Sequence, residues 1–527
     1  MNKLRKLKQP EIFYTEQIGI NAKFFGKKPA VVCGEERQSW EDFHRRTNMV
    51  ANALLALGLK KGDKVALLMQ NSVAMFELIW GTIKAGGVTV PINVMLAQDS
   101  LGIMINNSEA KWVFADPVTA PQIEPIKDNL ENVKPGCFYA TGGLGGLWKS
   151  AEDLVAGGSE KDPKVKLKMS DSMNIIYSSG TTGVPKGIEH SHFARHMYSF
   201  GVGPVHLIDR WSVSICSTPL YTNGTWINML PTVFSGGTVV LLKKFSAEAF
   251  FQAVEREKCT HAFMVPTQFI VLLESQAINQ YDHSSMKMLV SGGQALPTKT
   301  ADGIRKQIPS AGLWEMYGMT EGYITLCTPE DMARGKVGSV GLPVFGGDIC
   351  IINEKGKQLA RGKTGEICGW SPGLMKGYYR DEQRTSDIVW KGPNGRTYLR
   401  SGDIGRMDED GFLYISGRVK DMIKSGGINV FAADIEEVFM RHPEVMEATA
   451  IGIPHDKWGE TPLLFAIMRE GATVTEAALA EWGNARLGKF QRVSRIEYRK
   501  EFPRVTHDKV NKRALRDPFW EGREKKI

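Results

Sequence analysis

Apolar residues in the first half of this chain switch repeatedly between a helical period and the unbroken runs of buried strands. The stretch "DFHRRTNMVANALLALG" (42–58) places Val50, Leu54 and Leu57 on one helical face and stops at Gly58. "DKVALLM" then reads as a buried strand. The cycle repeats: "VAMFELIWGTIKAGG" is helical and ends in two glycines, and "VTVPIN" is extended. A further strand, helix and strand follow in "SGGTVVLLKKFSAEAFFQAVEREKCTHAFMVP". Such alternation predicts layered α/β structure, with helices covering largely buried sheets.

Near residue 400 the texture changes. "YLRSGDIGRMDEDGFLYISGRVKDMIK" carries a turn at Asp410-Gly411 between two extended runs, the pattern of a β-hairpin. Beyond it "ADIEEVFMRH" is helical, "MEATAIGIP" and "LLFAIM" are strands, "TEAALAEWGNARL" is helical and "SRIEYRK" is extended. That set suffices for an α+β domain of about a hundred residues. The fold class expected is therefore α/β and α+β multidomain: a large N-terminal domain of layered α/β subdomains, 1–417, and a small mobile C-terminal domain, 418–527. At 527 residues the chain exceeds one core of usual size.

Composition excludes several function classes. Hydrophobic content of 42% and charged content of 24% are those of an ordinary globular protein. No apolar run approaches the ~20 residues needed to cross a bilayer, and the basic start "MNKLRKLKQPEIFY" lacks the apolar core of a secretory signal. Seven scattered cysteines without a C-x-x-C pair suit a reducing cytoplasm. A net charge of +8 is concentrated in the last forty positions. It suits a solvated surface or a polyanionic cofactor; no nucleic-acid signature accompanies it.

Chemistry concentrates in loops. "YSSGTTGVPKG" (177–187) follows an apolar strand and cannot pack a core; its backbone N–H groups, hydroxyls and lysine suit a small anion. The Walker pattern fails, because Pro185 stands at the second glycine and Gly187 follows Lys186. It is a different phosphate loop.

Four motifs occur in order along the chain: "YSSGTTGVPKG", "YGMTEG" (317–322), "SGDIGRMDEDGFLYISGRVKDMIKSGGINV" (401–430) and "FPRVTHDKVNKRALR" (502–516). In order and spacing they resemble the adenylate-forming superfamily, in its branch of acyl-CoA synthetases, or AMP-dependent acid–CoA ligases. The resemblance implies two half-reactions. A carboxylate attacks the α-phosphate of ATP to give acyl-adenylate and pyrophosphate, and a thiol then displaces AMP. One anion must approach another, so cations and donors placed where charge gathers should carry catalysis. By similarity, Ser178, Ser179, Gly180, Thr181, Thr182, Gly183 and Lys186 cover the β- and γ-phosphates. Tyr317, with Gly318 beside it, stacks on adenine, Thr320 donates to the α-phosphate, and Glu321 holds Mg²⁺. Gly292, Gly293 and Gln294 border the adenine, and Asp403 takes both ribose hydroxyls. Arg418 contacts the nucleotide and Lys420 is the hinge between half-reactions. Lys509 bridges the carboxylate and the α-phosphate, although Asp508 precedes it where the family usually has glycine.

For the second half-reaction, "KSGGINVFAADIEEVF" resembles the segment that lines the thiol tunnel, with Lys424, Gly426 and Gly427 beside pantetheine. Ala432-Ala433 replaces a proline common in relatives. "HDKWGE" (455–460) is typical of coenzyme A users. Lys424 also stands where some relatives carry a second catalytic lysine, which keeps carrier-protein loading and luciferase-like oxygenation open. A non-catalytic nucleotide-binding descendant would be expected to lose Lys509, Glu321 or Asp403, and all three are present. Thr222 in "PLYTNGTW" replaces a histidine of many relatives; Trp226, Met264 and Val265 are candidate walls of the acid pocket. A fatty or other hydrophobic acid is the first expectation, an aryl or steroid acid the second. His190, His192 and His196 have a spacing some metal sites use, but no cysteine or carboxylate pattern completes it. The expected substrates and cofactor are thus a small carboxylic acid, ATP, Mg²⁺ and coenzyme A, without nucleic acid or a membrane span. A homo-oligomer is left open.

Overall fold

The computed structural model describes residues 11–178, 186–344, 346–504 and 510–521. The chain divides into two compact units. Residues 1–263, 320–322 and 372–385 make the first; 264–319, 323–371 and 386–527 make the second.

The first unit contains an eight-stranded sheet in the order Gly377–Tyr378, Lys186–Ser191, Ser172–Ser178, Val88–Pro91, Lys64–Leu68, Ala110–Ala115, Phe138–Ala140 and Lys149–Ser150. Its interior pairings are parallel, and the 186–191 strand is antiparallel to both neighbours. A second set of mainly parallel strands joins His261–Met264, Val213–Cys216, Thr238–Leu241 and Pro29–Cys33, with Glu36–Ser39 antiparallel at the edge. The continuous apolar runs in the sequence follow from this: strand Lys64–Leu68 and helix Val73–Lys84 are buried almost all round. Ser72 caps that helix by accepting from Met75 N, and Ser39 caps helix Trp40–Ala56 by accepting from Asp42 N. In the latter helix Val50 and Leu54 are buried as the periodicity predicts. Leu57 is not: it is the C-cap residue, at the open end of the helix, and is 38% exposed.

The second unit contains three sheets. Strands Met288–Gly292 and Gly312–Gly318 are parallel neighbours, continued antiparallel by Ile324–Cys327 and Leu342–Pro343. An antiparallel sheet runs Asp348–Ile352, Thr364–Trp370, Thr397–Met407, Val389–Lys391, and Leu413–Arg418 pairs with Thr397–Met407 across the predicted Asp410-Gly411 turn. The third follows the order Ile428–Val430, Ile423–Ser425, Gly459–Met468, Val445–His455, with Arg495–Tyr498 parallel to Gly459–Met468. Helices Ala432–Met440 and Glu476–Asn484 supply Ile435, Phe439 and Leu479 to its core, against Leu464 and Ile496. Among the described residues, no helix is long and apolar enough to cross a membrane.

Candidate active site

In the first unit the antiparallel register sets Ser178 opposite Lys186, so both ends of the glycine-rich loop are fixed by strand pairing. Ser179, Gly180, Thr181, Thr182 and Gly183 lie outside the described residues, as do Asp508 and Lys509. The tripeptide Thr320–Gly322 belongs to this unit although its sequence neighbours belong to the other. Two contacts hold it. His190 Nε2 donates to the Thr320 carbonyl at 2.8 Å, and the Glu321 carbonyl accepts from Met375 N at 2.8 Å. Burial, reinforced by the Arg195 charge, holds His190 well below the usual imidazole range, so it acts as a neutral donor. Gly322 has φ +120°, and a Cβ there would stand 2.2 Å from the Gly373 carbonyl oxygen. Only glycine fits that approach.

The carboxylate of Glu321 accepts from the hydroxyl of Tyr378 at 2.6 Å, and the Lys186 ammonium lies 5.1 Å from the centre of the same ring. Tyr378 is 5% exposed. Burial first, and then the Glu321 charge, push its phenol far above the usual range, so it stays a donor. Sequence reasoning missed this residue. Its only local signal is an aromatic pair after glycine in "LMKGYYR".

The histidines of "HSHFARH" serve separate ends. His190 is on a strand, while His192 and His196 are on helix His192–Val205, where His196 Nδ1 bonds the His192 carbonyl. Among the described residues, no group of three or more His, Cys, Asp or Glu could hold a metal ion. Thr222 is buried and spends its hydroxyl on the Pro219 carbonyl. Trp226 is wholly buried; its Nε1 donates to the Leu220 carbonyl, and the Arg195 guanidinium lies 5.0 Å from its ring. That arginine donates to Asn174 Oδ1 at 2.8 Å and Asn223 Oδ1 at 2.7 Å, a buried cation held entirely by neutral acceptors.

In the second unit, Gly292 ends one parallel strand and Tyr317-Gly318 ends its neighbour, with Gly293 and Gln294 in the turn that follows. Carboxyl ends of adjacent parallel strands are where α/β sheets present ligand-binding loops. Tyr317 donates its hydroxyl to Asp403 Oδ2 at 2.8 Å, and the hairpin register puts Arg418 opposite Asp403, where Nε donates to Oδ1 at 2.8 Å. Each carboxylate oxygen therefore has one protein donor and keeps a lone pair. Met264 and Val265 are buried. Lys420 lies in the short turn Val419–Asp421, and its carbonyl accepts from Arg516 Nη1 at 3.1 Å. Lys424 is on strand Ile423–Ser425. Gly426, at φ +59°, bonds the Trp458 carbonyl, and a Cβ there would press within 2.9 Å of Phe490 and Trp458; Gly427 is open.

Glu315, two residues before Tyr317, has a carboxyl pushed up to about 7 by burial; Arg305 opposes the shift and Glu437 adds to it. The folded state then holds a proton that the unfolded chain releases near pH 4.5. Stability contributed here falls as pH rises through that interval. Glu315→Gln is expected to stabilise the protein by about 2–3 kcal/mol at pH 8, with the gain shrinking toward pH 5. Melting temperatures of both proteins across pH 5–8 check this; a pH-independent difference would refute it.

The AMP-binding enzyme family model matches residues 20–379, and that of the AMP-binding enzyme C-terminal domain matches 434–509. The chain belongs to the AMP-binding enzyme family. It stands in the acyl- and aryl-CoA ligase branch of the adenylate-forming superfamily, as an AMP-forming acid–CoA ligase with a large N-terminal and a smaller C-terminal domain. Fatty acid–[acyl-carrier-protein] ligase ScoC of Streptomyces coeruleorubidus is 28% identical over 95% of both chains. A 2-succinylbenzoate–CoA ligase of Bacillus cereus is 29% identical over 93% of this chain and 95% of its own. Among solved structures, ATP-bound MatB from Rhodopseudomonas palustris superposes with a TM-score of 0.85 at 28% identity, covering 96% of this chain and 99% of that one. ATP and coenzyme A are substrates of this family.

Proposed function

We propose that this member of the AMP-binding family activates a fatty or other hydrophobic carboxylic acid as its acyl-adenylate, releasing pyrophosphate, and then passes the acyl group to coenzyme A. The observation that carries the reading is the group Lys186–Tyr378–Glu321: an ammonium and a carboxylate held by one buried side chain at the base of the phosphate loop. Lys186 suits the outer phosphates. Glu321 fits Mg²⁺, because its carboxylate accepts from Tyr378 alone among the described residues and retains a hard oxygen for the ion. Bound there, Mg²⁺ would neutralise phosphate charge. Thr320 donates to the α-phosphate, Tyr317 with Gly292, Gly293 and Gln294 receives adenine, and Asp403 takes the ribose. Lys509 closes over the reacting carboxylate when residues 418–527 turn about Lys420, and Gly426 and Gly427 then admit the thiol arm. Seven free, scattered cysteines support a cytoplasmic setting for the reaction.

The similarity to ScoC, which is named for an acyl-carrier-protein acceptor, keeps a carrier-protein acceptor as a second reading. Pyrophosphate release across a panel of fatty, aryl and dicarboxylic acids, followed by mass spectrometry with coenzyme A or holo-carrier protein, tests both steps. The expected result is a hydrophobic acyl-AMP converted to acyl-CoA. Absence of any mixed anhydride across the panel would overturn the reading.

A further inference from the structure

The segment Gly373–Tyr379 touches both halves of the phosphate machinery in the first unit. Its backbone pairs with the strand carrying Lys186: Tyr379 N donates to the Gly187 carbonyl at 2.7 Å and Lys376 N to the Glu189 carbonyl at 2.8 Å. Gly377 and Tyr378 lie opposite Glu189 and Ile188. The same segment grips the tripeptide carrying Glu321, through Met375 N and through the close approach of Gly373 to Gly322. Lys186 and Glu321 are 135 positions apart in sequence. This clasp fixes one relative to the other.

Tyr378 is where the clasp reaches the functional groups. A carboxylate that binds a metal gains from an outer donor that fixes its plane and leaves the other oxygen toward the ion. The Tyr378 hydroxyl supplies such a donor to Glu321 Oε1. The ring face meanwhile attracts the Lys186 ammonium, through the negative quadrupole of an aromatic buried from water. We propose that Tyr378 is a dual positioning residue for nucleotide binding: its hydroxyl orients Glu321 toward the divalent cation of the metal–ATP complex, and its ring sets Lys186 against the phosphates. The assignment rests on the metal role proposed for Glu321.

The two contacts come apart by substitution. Tyr378→Phe keeps the ring and removes the hydroxyl; Tyr378→Leu removes both. The measurement is equilibrium binding of ATP to the full chain by calorimetry, with Mn²⁺ and with excess chelator, using Glu321→Gln as reference. For Tyr378→Phe, the preference for Mn²⁺·ATP over metal-free ATP falls by about 10- to 100-fold, the usual cost of losing an outer-shell partner of a metal ligand. Its metal-free ATP affinity stays at the parent value. For Tyr378→Leu, metal-free affinity falls as well, by about two- to fivefold or more at a cation–π contribution of ~0.5–1 kcal/mol or above. Thermal unfolding of each variant reports folding, and a fold-wide defect would lower both affinities together in Tyr378→Phe. That result, or an unchanged metal preference in Tyr378→Phe while Glu321→Gln loses it, overturns the proposal. If Glu321→Gln itself keeps the preference, the metal role of Glu321 is what fails.

Discussion

Gly322→Ala is expected to lower the melting temperature by about 5–20 °C, and acid-dependent pyrophosphate release should fall with it. The new methyl would stand 2.2 Å from the Gly373 carbonyl oxygen and 2.7 Å from Leu374 Cα, both backbone atoms that cannot swing aside. The residue also sits at φ +120°, which costs an L-residue of order 1–3 kcal/mol by itself. With overpacking of similar size the total is about 2–6 kcal/mol, and a melting shift of about 2–4 °C per kcal/mol is typical for domains of this size. Gly335 separates the two causes. Its φ is +88°, but nothing lies within 4 Å of its hypothetical Cβ. Gly335→Ala should therefore show a small drop and normal pyrophosphate release. Equal losses in the two variants would mean that the Gly373 contact has no special weight.

Asp403→Ala should weaken ATP binding by about 10²-fold or more. The carboxylate joins the Tyr317 hydroxyl and the Arg418 guanidinium, and the proposed ribose contacts would fall on its remaining lone pairs. Hydrogen bonds to a charged group contribute about 1.5–3 kcal/mol each, and removing their common acceptor leaves two donors stranded. Tyr317→Phe removes one of that carboxylate's two donors, together with the longer 3.3 Å contact to the Tyr323 hydroxyl, and should cost less. In the double variant the two losses should sum to less than their separate effects, since both act through one carboxylate. Strict additivity in ATP affinity would show that Tyr317 and Asp403 act independently.

Much of the fold was legible because it is periodic. The strand and helix cycle of the first half, the hairpin at Asp410-Gly411 and the elements after it follow from local pattern and turn chemistry. Leu57 escaped because a helix end is governed by its cap, not by the period that precedes it. The residues proposed for the nucleotide were named through ordered motifs, and for Tyr317, Asp403 and Arg418 the structure adds a direct hydrogen-bonded link. The clasp was not legible. Gly377–Tyr378 is a two-residue strand whose partner lies about 190 positions earlier, too short for a period and too distant for a local rule. His190 shows the same limit: nothing in its spacing to two other histidines tells that its imidazole serves a carbonyl in a remote tripeptide. Assignment of Thr320–Gly322 to a unit foreign to its neighbours likewise depends on contacts distant in sequence.

The bond between Arg418 and Asp403 has a mechanical implication. Arg418 is the last residue of its strand, and the turn Val419–Asp421 begins immediately after it. Tying that terminal guanidinium to a neighbouring strand clamps the upstream end of the proposed pivot, while downstream the next strand starts at Ile423. In the proposed turning about Lys420, torsion would be confined to four residues, 419–422, so that a small dihedral change there would swing the chain beyond it through a large arc, as a door moves on a short pin.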